Sequence, residues 1–400
     1  MKKRLLIVSH TLELGGAEKS LIGLLNALDP NICDIDLFLL RQEGELMGEI
    51  PSYINLLPQI PAYTVLARPV KDTLKEGHII LSAARIAGKI VASMYERLHK
   101  YTDSDVALEY SHKFTCLFMP KIKPDKEYDL AISFLTPHYF VAQKVRAKKK
   151  IAWIHTDYSY VQVDVSSEIA MWRVYDYIVS ISDAVTDSFL AIFPELKDKI
   201  ILIDNILPER LVKKQADAFS VKNEMLATGL RLLSIGRFCN AKNFDNVPDI
   251  CRRLRERGLD ITWYLIGFGG DETLIKKRIQ ETGMQDYVKI LGKKGNPYPY
   301  IKECDVYVQP SRYEGKCVTV REAQMMGKPV VITNYETAKS QLEDGVDGVI
   351  LPLDNQKCAD GIFDLLKRNG LLDLLASNCQ KRDYSNANEV EKIYRILGNE

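Results

Sequence analysis

The sequence predicts an α/β protein built on two parallel sheets, and three observations lead there. Short apolar runs of strand length alternate with helix-patterned segments along the chain. The alternation lapses over residues 206–228, which are polar and lack a buried strand. Four hundred residues with 46% hydrophobic content are enough for two separate cores.

In the first half, strands are expected at residues 5–9, 34–40, 129–134, 151–155, 177–181 and 200–204. Lys2-Lys3-Arg4 ahead of an apolar run has the outline of a signal peptide. The run is too short for one and Ser9-His10 ends it, so it reads as a first buried strand. Residues 65–120 form a largely helical insertion. Within it, residues 78–100 are apolar at helical spacing, with Arg85, Lys89, Glu96 and Lys100 along one stripe. The reading is a domain helix that packs its apolar face inward; the alternative is a membrane-surface helix for a lipid-linked acceptor. The basic run KVRAKKK at 144–150 is either a solvated helix end before the next strand or a contact for anionic lipid.

In the second half, strands are expected at 232–235, 261–266, 288–291, 306–308, 330–332 and 348–351. The predicted organisation is a first domain over 1–205, a connection over 206–228 and a second domain over 229–382. The tail, 383–400, carries a helix at about 386–397 expected to return to the first domain.

A net charge of +1 gives no reason to expect nucleic acid as the main partner. Eight cysteines are scattered without a CxxC pair or a histidine at ligand spacing, which suits reduced thiols and neither disulfides nor zinc. No stretch is long and apolar enough to span a bilayer.

Both halves place small or glycine-containing loops directly after a strand. Residues 9–17, with Gly15-Gly16, follow the first strand, and Gly236-Arg237 opens the second half in the same way. Ligands of open α/β sheets sit at the carboxyl ends of the strands. Two such sheets facing each other make a cleft with one loop set on each wall. Neither Gly15-Gly16 nor the run from Gly267 to Gly270 is a complete dinucleotide fingerprint, and Gly15-Gly16 can equally serve only the turn into a helix at Ala17.

Residues 310–332, PSRYEGKCVTVREAQMMGKPVVI, carry the chemistry. A buried strand ends at Gln309-Pro310-Ser311, Thr319 is expected as an N-cap, Gly327 ends the helix and Pro329 forbids continuation. Glu314 then lies in the loop and Glu322 in the first helical turn, both near free backbone N–H groups that suit a phosphate. A sugar nucleotide needs that combination: N–H donors for a diphosphate and carboxylates to accept from sugar and ribose hydroxyls. The structural alternative is a Thr319–Glu322 capping box, with Glu314 an ordinary solvated loop residue.

Four segments together resemble the retaining GT-B glycosyltransferases of family four, notably those of bacterial surface-polysaccharide clusters. They are Gly15-Gly16-Ala17-Glu18; Gly236-Arg237 with Lys242; Gly292 with Asn296-Pro297-Tyr298; and the Glu314–x7–Glu322 segment running into Gly327-Lys328-Pro329. The resemblance implies two Rossmann-like domains facing across a cleft. It implies that Arg237 and Lys242 hold the donor diphosphate, Glu314 the donor-sugar hydroxyls and Glu322 the ribose. The backbone of Lys316, Cys317, Val318 and Thr319, after Gly315, would meet sugar and phosphate. Lys293-Lys294 would read the nucleobase through their backbone, with Gly236 and Gly267 in the same loop set. Gly15 and Gly16 would approach the phosphates from the other wall, and His155 resembles a family histidine near donor and acceptor. His138 and Asp157 are further candidates there. Many relatives have Phe-Gly where this chain has Lys316-Cys317, which puts the identity of the transferred sugar in question.

The implied activity is transfer of a sugar, with retention, from a nucleotide donor to a hydroxyl acceptor in surface-polysaccharide assembly. UDP-sugar is favoured over GDP-sugar, and the acceptor is a sugar or lipid-linked saccharide. No cofactor is implied. No metal is implied either, and Asp103-Ser104-Asp105 reads as a solvated turn. The implied setting is cytoplasmic, with peripheral contact at the inner membrane face as an option. The alternatives are a catalytically silent sugar-nucleotide-binding subunit, or a GT-B epimerase or phosphorylase.

Overall fold

The computed structural model describes residues 2–13, 15–66, 68–101, 104–156, 158–225, 229–314 and 317–398. The chain divides into two compact units, Met1–Leu207 with Asn386–Glu400, and Pro208–Ser385.

The first unit carries seven parallel strands: β1 (Lys3–Ser9), β2 (Cys33–Leu39), β3 (Asn55–Leu56), β4 (Tyr128–Ser133), β5 (Ala147–Ile154), β6 (Tyr177–Ser180) and β7 (Ile200–Leu202). Their order is β3-β2-β1-β4-β5-β6-β7, so the chain starts in mid-sheet and switches direction between β1 and β4. Leu5, Leu6, Ile7 and Leu130, Ala131, Ile132 are fully buried in the central strands. Covering a parallel sheet on both faces requires such continuous apolar runs, which is why they read as strands. The edge strand β3, two residues long, was not expected. It is fixed by Asp36 of β2, whose carboxylate takes Asn55 Nδ2 at 2.8 Å, Lys126 Nζ at 2.8 Å and Tyr128 Oη at 2.6 Å.

The second unit has six parallel strands: β8 (Leu230–Ile235), β9 (Ile261–Ile266), β10 (Val288–Gly292), β11 (Val306–Gln309), β12 (Val330–Thr333) and β13 (Val349–Leu351). Their order, β10-β9-β8-β11-β12-β13, is that of a dinucleotide-binding sheet. Its switch point falls between β8 and β11, whose loops therefore face one ligand position.

Four local expectations are corrected. Residues 209–216, read as connection, form a helix (Glu209–Ala216) with Leu211, Val212 and Ala216 buried, and Asn296 donates to the carbonyl of Gln215 at 2.8 Å. The lysines of 148–150 are not a helix end but the first turns of β5. Lys148 pairs with Asp129 at 2.7 Å, Lys149 donates to the Ile396 carbonyl at 2.6 Å and Lys150 to the Ala142 carbonyl at 2.7 Å. The terminal helix is Val390–Leu397, preceded by a 3₁₀ turn.

The fourth correction is the largest. The helix Ile79–His99 does not turn its apolar face inward: Leu81, Ser82, Ala84, Arg85, Gly88 and Ala92 are buried, while the large apolar residues between them point to solvent. Close approach decides this. The neighbouring helix Val106–Phe118 lies against Gly88, where a Cβ would fall 2.8 Å from the Tyr110 carbonyl oxygen. Arg85 anchors the same face, donating to the carbonyls of Val65 at 2.6 Å and Arg68 at 2.7 Å.

All eight cysteines are free, and seven of them are buried; Cys239 is partly exposed. The contact at Gly88 has a measurable consequence. Gly88→Ala gains helix propensity worth about 1 kcal/mol. It also forces the two helices apart, so the expected result is a net loss of stability of about 1–3 kcal/mol in denaturant unfolding.

Candidate functional site

The site in the second unit is built by two loops sewn together. After β8 the chain passes Gly236, Arg237 and a 3₁₀ turn (Asn240–Lys242), then reaches Asn243 in the left-handed region at φ 60°. Asparagine tolerates that backbone where most residues do not. Its buried side chain donates to the Pro310 carbonyl at 2.9 Å, joining the β8 loop to the β11 loop. Arg312 makes the second stitch, forking onto Asp245 at 2.9 and 2.8 Å while donating to the Asn240 carbonyl at 2.6 Å. Planar two-point pairing of this kind fixes direction as well as distance.

Between these stitches, Lys242 Nζ meets Glu314 Oε1 at 2.5 Å. The same carboxylate oxygen accepts from Ser311 Oγ at 2.6 Å, and Thr337 Oγ1 donates to the Glu314 carbonyl at 2.8 Å. Burial works against the Lys242 ammonium. The neighbouring Cys317 and Glu314 outweigh it and hold the lysine above its ordinary pKa. Burial also pushes the Cys317 thiol up to about 11, leaving it neutral near pH 7 and Glu314 as the effective counter-charge. Arg237 behaves differently. It is exposed, and no ion pair or hydrogen bond of its side chain is seen among the described residues.

Glycines set the wall around this pair. Gly267 follows β9 at φ 152°, with its amide donating to Gly292 O at 3.0 Å, and a Cβ there would lie 1.8 Å from the Gly236 carbonyl oxygen. A Cβ at Gly236 would press on the Lys242 side chain at 3.2 Å. Gly292 ends β10 at φ 72°. Beyond it, Lys293 Nζ lies 5.3 Å from the centre of the Phe268 ring, whereas Lys294 is turned to Glu224 at 2.5 Å.

The helix after the second loop is Val318–Met325, with Cys317 at its N-cap. Thr319 is therefore inside the helix and not the expected cap. Its hydroxyl receives Tyr307 Oη at 2.8 Å. Glu322 does not fold back on Thr319, so no capping box forms. It is buried to 1% exposure and accepts from Tyr298 Oη at 2.7 Å. Gly315 and Lys316 lie outside the described residues.

In the first unit, Gly15 is the N-cap of the helix Gly16–Ala27. A Cβ on Gly15 would fall 2.0 Å from Glu18 Oε2, the movable end of a flexible side chain, and the Gly15 backbone is extended, so the turn itself does not demand glycine; Gly16 is unhindered. His155 directly follows β5. Its ring stacks parallel to Trp153, with Phe134 at 4.8 Å, and its Nε2 is buried without a partner. Burial drives its pKa down to about 4, so the imidazole is neutral. His138 is buried against Trp172 and shares a hydrogen bond with Ser133 Oγ at 2.8 Å, and burial lowers its pKa to about 3. Asp103 and Asp157 lie outside the described residues, and Ser104 donates to Glu96 at 2.6 Å.

Sequence reading missed a second feature of this unit, a small cavity of about 60 Å³ lined by Glu109, His112, His138, Tyr158, Glu168 and Trp172, among others. Burial raises the Glu168 carboxyl to about 7, against hydrogen bonds from Trp172 and Tyr158. Its walls come from helices 59 residues apart, and no local spacing marks it.

Residues 216–382 match the family model of glycosyl transferases group 1. The chain is 26% identical over 295 residues to an uncharacterized glycosyltransferase of Methanocaldococcus jannaschii, covering 65% of this chain and 72% of that one. It is 30% identical over 155 residues to the amylovoran biosynthesis glycosyltransferase AmsK of Erwinia amylovora, covering 37% of this chain and 36% of that one. The match thus spans only about a third of the Erwinia protein. Among solved structures, Anabaena HepE in complex with UDP and glucose aligns over 100% of both chains, with a TM-score of 0.66 at 16% identity. That likeness shows the fold, GT-B.

The stitching makes a prediction about Asn243. Asn243→Ala loses the bond to Pro310 and strains a left-handed residue, for an expected cost of about 2 kcal/mol. Asn243→Gly keeps the backbone and loses only the bond, so its midpoint in urea unfolding should lie between wild type and the alanine variant.

Proposed function

Taking the chain as a glycosyltransferase whose residues 216–382 match the group 1 family, we propose that it moves a sugar from a nucleoside diphosphate to a hydroxyl acceptor with retention. The observation that carries this reading is the Lys242–Glu314 pair, held between two stitched loops at the switch point of the second sheet. It offers a cation for the diphosphate and a carboxylate for sugar hydroxyls, beside the N-terminus of the helix Val318–Met325.

Arg237 supplies a second cation, exposed and without an ion pair among the described residues. As the bond from the sugar C1 to the β-phosphate oxygen breaks, negative charge grows on that oxygen, and fixed cations stabilise it most. The acceptor oxygen bonds C1 on the same face and its proton passes to the departing phosphate. Arg237, Lys242 and the helix N-terminus neutralise the charge that a metal serves elsewhere, so the reaction needs neither metal nor cofactor. UDP is the preferred nucleotide, a choice supported by the UDP complex of the Anabaena neighbour. The backbone around Lys293 and Lys294 meets the base, and Glu322, held by Tyr298, the ribose. In the first unit, Gly15 and Gly16 approach the phosphates, and His155, kept neutral, presents a hydrogen bond to substrate. The acceptor is a sugar or lipid-linked saccharide of surface-polysaccharide assembly, and the setting is cytoplasmic.

Arg237→Ala removes an exposed side chain and should leave the fold intact. A charge-assisted contact is worth about 1.5–3 kcal/mol, so kcat/KM should fall roughly 10- to 200-fold. Lys242→Ala should lose activity similarly, and wild type should keep most of its activity in excess EDTA. Unchanged kinetics in both variants would remove these residues from the donor site.

Glu322→Gln separates ribose binding from support of Tyr298. Glutamine still accepts from the tyrosine, so the melting temperature should hold. Calorimetric titration should show nucleoside diphosphate binding several-fold more weakly; unchanged affinity would assign Glu322 to structure alone.

A further inference from the structure

The helix Ile79–His99 is amphipathic in the reverse sense for a domain helix. Its inward face, Leu81, Ser82, Ala84, Arg85, Gly88 and Ala92, is small or polar apart from Leu81. Its outward face carries Ile79, Ile80, Ile86, Ile90, Met94 and Leu98, the last four spaced four residues apart. Ile79 and Met94 are each 67% exposed, Ile90 57% and Leu98 79%. Single exposed apolar residues need no explanation, but a contiguous stripe of this length does. The neighbouring helix adds exposed Leu117 and Phe118 at its end.

The charges around the stripe indicate what covers it. Residues 68–100 hold seven Arg and Lys against three Asp and Glu. Arg85 is committed inside and Arg68 pairs with Glu76. Lys71, Lys75, Lys89 and Arg97 are exposed, and none forms an ion pair among the described residues. A second copy of the chain would bring like charges face to face across a twofold axis. An anionic surface would meet them with opposite charge. No described helix is long and apolar enough to cross a membrane.

We propose that the Ile79–His99 helix is a bilayer-docking element, lying in the interface of an anionic lipid surface with its isoleucine–methionine–leucine stripe among the acyl chains. Lys89 and Arg97 meet the lipid phosphates. The helix lies on the membrane and does not span it, combining buried apolar area with electrostatic attraction. Docking does not depend on the transfer chemistry, since none of these residues belongs to the donor site.

The test is flotation of the full-length chain with phosphatidylcholine vesicles containing about 30% phosphatidylglycerol, and with phosphatidylcholine alone. Wild type should float with the anionic vesicles and bind the neutral ones at least about tenfold more weakly. Ile90→Gln with Met94→Gln and Leu98→Gln should reduce anionic binding by more than about tenfold. Lys89→Gln with Arg97→Gln should reduce it roughly fivefold per cation. All substituted side chains are solvent-facing, so melting temperatures should stay near wild type. Failure of wild type to float would overturn the proposal, as would equal binding to neutral vesicles. A concentration-dependent dimer in sedimentation, abolished by the apolar variant, would instead assign the stripe to a second copy. None of these readouts uses a sugar nucleotide, so a failed donor assignment would leave them unaffected.

Discussion

The second unit depends on a constraint that is small in atoms: Asn243 must hold a left-handed backbone and still reach the Pro310 carbonyl. A parallel sheet offers ligands only the loops beyond its strand ends, and loops are its least determined parts. Tying the β8 loop to the β11 loop converts two loose segments into one support. Arg312 repeats the tie, pairing with Asp245 and reaching the Asn240 carbonyl on the other side of Lys242. The Lys242–Glu314 pair is then a feature of the scaffold and not of two wandering side chains. Its burial makes that necessary, because charges removed from water repay desolvation only in well-fixed geometry.

The first unit follows another logic. Its carboxyl-end histidines are buried among aromatic rings and kept neutral, with pKa values lowered to about 3 and 4. Such groups orient by hydrogen bonding and shape. The second unit fixes a cation at its own strand ends, whereas the first buries neutral histidines at its own, a contrast that runs through the side chains and not the folds. Both sheets are parallel, start in mid-sheet and reverse direction beside their first strand.

How much of this was legible followed from what each signal measures. The strands could be read because two-sided burial makes them continuously apolar, as in residues 5–8 and 130–132. The start of β5 was hidden because its lysines satisfy backbone carbonyls and a carboxylate while still in the sheet. For Ile79–His99, periodicity revealed that one face is apolar but not which way it points. Gly88 held that information, and only the neighbouring Tyr110 carbonyl makes it readable. Glu314 and Lys242 were found as separate candidates, but their mutual contact joins positions 72 residues apart. The helix start was misplaced by two residues because Thr319 is the better cap by composition, whereas its hydroxyl is engaged by Tyr307. The cavity bounded by Glu109 and Glu168 left no trace in the sequence at all.

The distribution of thiols carries a practical corollary. Seven cysteines are sealed in the interior, and Cys239, the partly exposed one, stands three residues before Lys242. A maleimide fluorophore added to the native chain would attach there first, without any engineered residue. Emission from such a label would follow movement of the β8 loop in real time, and its quenching would report the arrival of a ligand at the stitched loops.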